Sequence, residues 1–412
     1  MNSPTGYPPG KPVPRTPFAL RNFRFQWSSD LVTSCAFEME TIALAWYVLV
    51  TTQSVFLLAV LGSLQYLGTL LAPFVGVMGD RHGQRTVLMG MRLFYALVAG
   101  CVVVLSAQGY LSPWVAFGAA ALSGLFRPSD FGFRSVIVSL IVPPVLLMKS
   151  VSLSRITHDL ARVFGALLGA SLMALIGFTW AYAGIVLFFL ISVLLASRID
   201  PLRTSAGATL DPGSVLAQIR RAMRAVWDQP RQFATLLLAF LINLTAFPFM
   251  GGLLPYVAGD HFGTGQLGLG YLVASVAGGA VTGALLLGKL PKVPRPGYLM
   301  LAFSVIWHLM VVVFSLMPEF QWALAGGFVM GVAQSFCIIP LTVFLLGNVD
   351  PAIRGAILGL RAMAIYGLPV GLMIAGALLG ASVGLVGTAV LFACVGIGAT
   401  AAIFLRWGKL LG

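Results

Sequence analysis

The groups in this 412-residue chain that could do chemistry are charged side chains set inside long apolar runs. An ionisable group in hydrocarbon costs about 2.5–3.5 kcal/mol even on lenient insertion scales, so each is expected to face a partner or water. Arg155, His158, Asp159 and Arg162 recur at i, i+3, i+4 and i+7 and share one helix face. That stripe reads either as an ion-pair ladder around Asp159 or as a surface that contacts substrate or proton, with Arg162 its deepest member. Arg127 lies about fourteen residues from the outer end of its run, near a bilayer midplane at ~1.5 Å per residue. An arginine there needs a carboxylate, and Glu38 and Glu40 are at similar depth. Two positions apart, they point about 200° from each other; one of them is expected to face Arg127, and the periodicity leaves open which. A carboxylate poised between desolvation and a nearby cation is suited to exchanging a proton. Asp30 and Asp159 are the next candidates for that role. Arg127, Arg162, Arg155, His158, Arg361 and Asn243 are the candidates for substrate contact, Asn243 the weaker because lone polar residues in apolar spans mostly hydrogen-bond between helices.

These residues must be positioned by membrane helices. With 59% hydrophobic and 9% charged residues, the composition excludes an ordinary water-soluble protein. A hydrocarbon core about 30 Å thick needs roughly 20 apolar residues per helix. The chain offers twelve such runs, at 25–50, 55–79, 87–107, 113–141, 151–175, 178–197, 233–256, 268–288, 298–317, 322–347, 355–379 and 385–405. The net charge of +13 is not a nucleic-acid signal. With a cytoplasmic N-terminus, the lysines and arginines outside the spans gather on the inner side and none falls in an outer loop, which is strong positive-inside asymmetry. Both termini are then cytoplasmic.

The long polar stretch after residue 197 divides six runs from six. The expected organisation is a Pro-rich disordered tail over 1–23, a six-helix bundle over 24–197, a linker over 198–231 and a second bundle over 232–412. Residues 215–227 of the linker place arginines opposite an apolar face, as for a helix lying on the inner leaflet or a soluble connector. A faint repeat relates Ser152-Leu153-Ser154-Arg155 with Gly165 to Leu358-Gly359-Leu360-Arg361 with Gly371. Cys35, Cys101, Cys337 and Cys394 fall inside apolar runs and read as reduced packing residues; no cluster has metal-ligand spacing, and no metal or cofactor is expected.

Between the second and third runs stands Gly76-Val77-Met78-Gly79-Asp80-Arg81-His82-Gly83-Gln84-Arg85. This G-x-x-x-D-R-x-G-x-R pattern resembles the loop joining helices 2 and 3 of the major facilitator superfamily, secondary transporters built from two pseudo-symmetric six-helix bundles. Arg21-Asn22-Phe23-Arg24, Arg127-Pro128, Leu160-Ala161-Arg162-Val163-Phe164-Gly165 and Asp350-Pro351-Ala352-Ile353-Arg354-Gly355 resemble the branch that contains enterobactin, macrolide and drug exporters. The resemblance implies an all-α membrane fold and a gating role for Gly76, Asp80, Arg81, Gly83 and Arg85. In the family the loop Asp and Arg bridge to an acidic residue of the fourth helix, here Asp130 with Arg134 nearby, and to the start of the eleventh. The G-P-x-x-G-G run usual in the fifth helix of the family's antiporters is reduced here to Gly165-Ala166-Leu167-Leu168-Gly169-Ala170.

No G-x-x-x-x-G-K-[ST] run is present, which argues against ATP-driven pumping, and no hydrolase constellation stands out. The expected function is a proton-coupled exporter of a small organic molecule, such as a siderophore or a drug-like amphiphile. It is expected in a bacterial cytoplasmic membrane, acting as a monomer, with the substrate, protons and the lipid bilayer as its partners. Import of organic anions and a non-transporting sensor or scaffold are the alternatives. The dependence of flux on an imposed pH gradient separates antiport from symport, and counterflow separates transport from sensing.

Overall fold

The computed structural model of the protein describes residues 16–71, 75, 78–79, 81–201, 227, 229–289, 295–347, 360–381 and 383–411. The expected tail before residue 16, the linker segment 215–226, Gly76, Asp80, Asp350 and Gly355 lie outside them. Among the described residues the chain is all helix. Its main helices are α1 (Arg21–Thr52), α2 (Val55–Leu64), α3 (Gln84–Ala107), α4 (Pro113–Ile141), α5 (Pro144–Ser197), α6 (Pro230–Thr245), α7 (Gly265–Lys289), α8 (Pro296–Ser315), α9 (Phe320–Gly347), α10 (Gly367–Gly380) and α11 (Gly384–Leu411).

Eight helices among the described residues are long and apolar enough to cross a membrane. The other expected spans depart from that standard for local reasons. A continuous helix of 54 residues would run ~80 Å at 1.5 Å per residue, far more than a bilayer needs. In α5 it is broken at Gly177 (φ 81, ψ 172), a left-handed position that glycine adopts without steric cost. The expected fifth and sixth runs therefore meet at one residue. The second run opens as the 10-residue α2 and continues as a 3-10 turn at Leu67–Leu70. The seventh stops at Thr245 and re-forms as short turns around Pro248, which has no N–H to extend the ladder. The fourth is the 29-residue α4, which carries Arg127, Asp130 and Arg134.

The chain divides into two compact units, Met1–Leu44 with Leu64–Leu210, and Ala45–Ser63 with Asp211–Gly412. In the first, Phe37, Tyr95 and Phe189 pack edge-on or tilted with centroids 5.0–5.5 Å apart, joining α1, α3 and α5. Helix α5 lies close on α1 because Gly165 and Gly169 have no side chain: a Cβ at either would sit 2.9 Å from atoms of Cys35, Glu38 or Met39. Gly169→Leu should therefore lower stability by about 1–3 kcal/mol through overpacking. A thermal-melting midpoint in detergent equal to that of the wild type would show that α1 and α5 are not in this close contact.

The segment after α2 is drawn onto α4 in the same way. A Cβ on Gly68 would collide with the carbonyls of Leu125 and Gly124, and one on Gly124 with that of Leu64. Pro128 follows one turn later and cannot donate to the Gly124 carbonyl. This approach carries Gln65 to Arg127. The second unit uses the same device at Gly279 on α7 and Gly331 on α9, each lying against the other helix's backbone, as small residues allow in membrane helices.

Candidate functional site

Two charged clusters lie between α1 and α4 in the first unit. Arg127 is fourteen residues from either end of Pro113–Ile141 (127 − 113 and 141 − 127), so it holds the middle of α4. Its Nη1 donates to Thr41 Oγ1 at 3.0 Å and to Gln65 Oε1 at 2.6 Å. Its Nη2 lies 3.7 Å from Glu38 Oε1, with both side chains 13% accessible. The guanidinium also sits 4.6 Å from the centre of the Phe37 ring, a cation–π distance. Glu40 faces elsewhere and is buried: its Oε1 accepts from Ser123 Oγ and Tyr182 Oη, each at 3.2 Å. The two glutamates thus take different contacts, Glu38 an ion pair and Glu40 two neutral hydroxyls, with Arg127 within electrostatic range of Glu40 as well.

The second cluster is a charge-balanced quartet. Asp30 accepts Gln26 Nε2 on both oxygens, at 2.8 and 2.9 Å, and Arg92 Nη2 on Oδ1 at 2.5 Å. Arg92 Nε lies 3.5 Å from Asp130 Oδ2. Arg134 Nε pairs with Asp130 Oδ1 and lies 3.6 Å from Asp30 Oδ1; its Nη1 donates to Ser34 Oγ at 2.6 Å. Arg92 Nη1 donates to Ser29 Oγ, whose hydroxyl donates to the Ser192 carbonyl of α5. Arg92 and Asp130 are wholly buried, where a charge is tolerated only if paired and hydrogen-bonded.

The α5 stripe forms in part. Arg155 Nε donates to Asp159 Oδ2 at 3.2 Å, with Arg155 66% accessible and Asp159 7%. His158 stands edge-on to Phe131 with centroids 5.1 Å apart, and its Nδ1 is buried without a hydrogen-bond partner among the described residues. Arg162 and Arg127 both lie within electrostatic range of the Tyr66 hydroxyl, which brings Arg162 toward the Arg127 cluster. Asn243 donates to the Ala239 carbonyl of its own helix; it and Arg361 belong to the second unit.

In the loop, Gly83 has φ 91, so its glycine is required by conformation, and Arg81 is exposed. Arg85 donates to the carbonyls of Ala196 at 3.3 Å and Ser197 at 2.5 Å. It caps the C-terminus of α5, where a cation also meets the negative end of the helix dipole. The expected bridge from this loop to Asp130 therefore takes another form: Asp130 is held by Arg92 and Arg134 inside the bundle, while Arg85 holds α5. Sequence reasoning missed Arg92, Gln65, Thr41, Ser123 and Tyr182. Only Arg92 carried a usable signal, a lone cation at the sixth position of an otherwise apolar run, 87–107.

Residues 13–409 match the family described as transmembrane secretion effector, one of the major facilitator superfamily. The chain belongs to that superfamily. This transporter is 21% identical over 360 residues to macrolide efflux protein A of Streptococcus pyogenes, covering 84% of this chain and 87% of that protein. It is 28% identical over 263 residues to the enterobactin exporter EntS of Citrobacter koseri, covering 62% and 60%. Its fold is that of the nucleoside transporter NupG (TM-score 0.68, 15% identity, 94% and 99% covered) and of the human organic anion transporter MFSD10 (0.66, 14%, 93% and 99%). The transporter is a multi-pass membrane protein and not an enzyme.

Proposed function

We propose that this transporter is a proton-coupled exporter of a small organic molecule, working by alternating access. The observation that carries the proposal is the partly accessible Arg127–Glu38 pair at mid-helix, supported by relatives that are efflux proteins. Glu38 carries the coupling proton, and Arg127 with Arg162 meets the substrate, an amphiphile bearing an anionic group such as a carboxylate or catecholate. Purified protein in liposomes, with a pH gradient imposed in either direction, tests this; flux indifferent to the gradient would exclude coupling.

The same proposal has twelve spans, two six-helix bundles over 24–197 and 232–412, a cytoplasmic linker and both termini cytoplasmic in a bacterial cytoplasmic membrane, acting as a monomer. The absence of Lys and Arg from every expected outer loop supports that orientation. A cysteine at Gly263 should label with an impermeant reagent from outside intact cells, whereas one at Gly213 should label only after lysis. Outside labelling at Gly213 would reverse the orientation.

A further inference from the structure

On α1, Asp30, Ser34 and Glu38 follow one another at i, i+4 and i+8, and on α4, Arg127, Asp130 and Arg134 at i, i+3 and i+7, so each set shares one helix face. The two faces meet as a ladder: Arg134 engages Asp30, Asp130 and Ser34, and Arg127 engages Glu38 and Thr41. Counted alone, this ladder has three carboxylates and two cations. The third cation comes from α3. Arg92 is wholly buried and reaches both Asp30 and Asp130. The quartet is thereby neutral, and Arg127 is left over for Glu38.

We infer that Arg92 is the positioning residue of this ladder: by balancing, with Arg134, the two carboxylates Asp30 and Asp130 it keeps Arg127 on Glu38 and Thr41. Without Arg92, Asp30 and Asp130 share Arg134 alone, and Arg127, one turn from Asp130 on the same face of α4, is the next cation along that helix. The Arg127–Glu38 contact, at 3.7 Å, is the longest of the described ion pairs and the one most readily given up. A wholly buried Asp130 cannot turn to water instead. Arg134 does not replace Arg92, because it brings a single positive charge to two carboxylates, both of which it already approaches.

The test reads the position of Arg127 without any transported substrate, so it succeeds or fails independently of the export proposal. Thr41→Cys is placed in protein whose four native cysteines are replaced, leaving Glu38 intact. Its labelling rates with an anionic and a cationic methanethiosulfonate, MTSES and MTSET, are compared in detergent. Beside the Arg127 guanidinium the thiol should favour MTSES. Arg92→Met should lower the MTSES-to-MTSET ratio several-fold, Arg92→Lys should largely keep it, and Arg92→Met with Asp130→Asn should restore it, because the pair removes one charge of each sign. An unchanged ratio in Arg92→Met, or a ratio that stays low in the double variant, would overturn the assignment. If Arg92→Met fails to accumulate in the membrane, recovery of both accumulation and ratio by the double variant supports it. Failure of the double variant as well would make Arg92 a packing residue and overturn the charge-balance role.

Discussion

Glu38→Gln is expected to abolish pH-driven export while leaving substrate exchange near the wild-type rate. The amide keeps the size of the side chain and can still accept from Arg127, but it has no proton to release, so the empty carrier cannot be reset by the gradient. Exchange returns a loaded carrier and needs no net proton movement. Glu40→Gln should behave differently. Its carbonyl oxygen can still accept from Ser123 and Tyr182, and Arg127 acts on this buried residue at electrostatic range while its described ion pair is with Glu38, so both activities should persist. The measurement is uptake into inside-out vesicles or proteoliposomes, driven by a pH gradient in one arm and by trans substrate in the other. Full pH-driven export by Glu38→Gln would move coupling to Glu40, Asp30 or Asp159, or remove it altogether.

Arg127→Ala is the second large effect, and here both export and exchange should fall. The substitution removes the donors to Thr41 and Gln65, the counter-ion of Glu38 and the cation over Phe37. Stripping one partner from a buried ion pair costs about 3–5 kcal/mol, less at a pair that water partly reaches. If only ~1.4 kcal/mol of it appears in the barrier of the transport cycle, flux drops about tenfold. Arg127→Lys should recover little, because an ammonium lacks the planar fork that reaches Thr41, Gln65 and Glu38 together. Equal losses in export and exchange, in protein that still elutes as a single species, are the expected result. Loss of pH-driven export alone would assign Arg127 to coupling rather than to substrate.

The membrane character, the family and the depth of Arg127 were legible in the sequence, because each depends on local composition or on short spacing along one helix. An apolar run needs no partner to be recognised, and G-x-x-x-D-R-x-G-x-R is a contiguous string. Position 127 could be placed at mid-span by counting alone. Azimuth could not be counted. Glu38 and Glu40 differ by about 200° around α1, and nothing local says which of those directions α4 occupies. The close packing of α5 on α1 at Gly165 and Gly169 and the placing of Ser123 and Tyr182 beside Glu40 decide it. Asp130 likewise reads as the partner of the loop motif until α3 brings Arg92 against it from 38 residues away. The sequence determined that charges set in apolar runs need partners, since hydrocarbon tolerates so few. Only the tertiary structure decided which charge answers which, because a buried ion takes the partner that helix packing presents to it, whatever its distance along the chain.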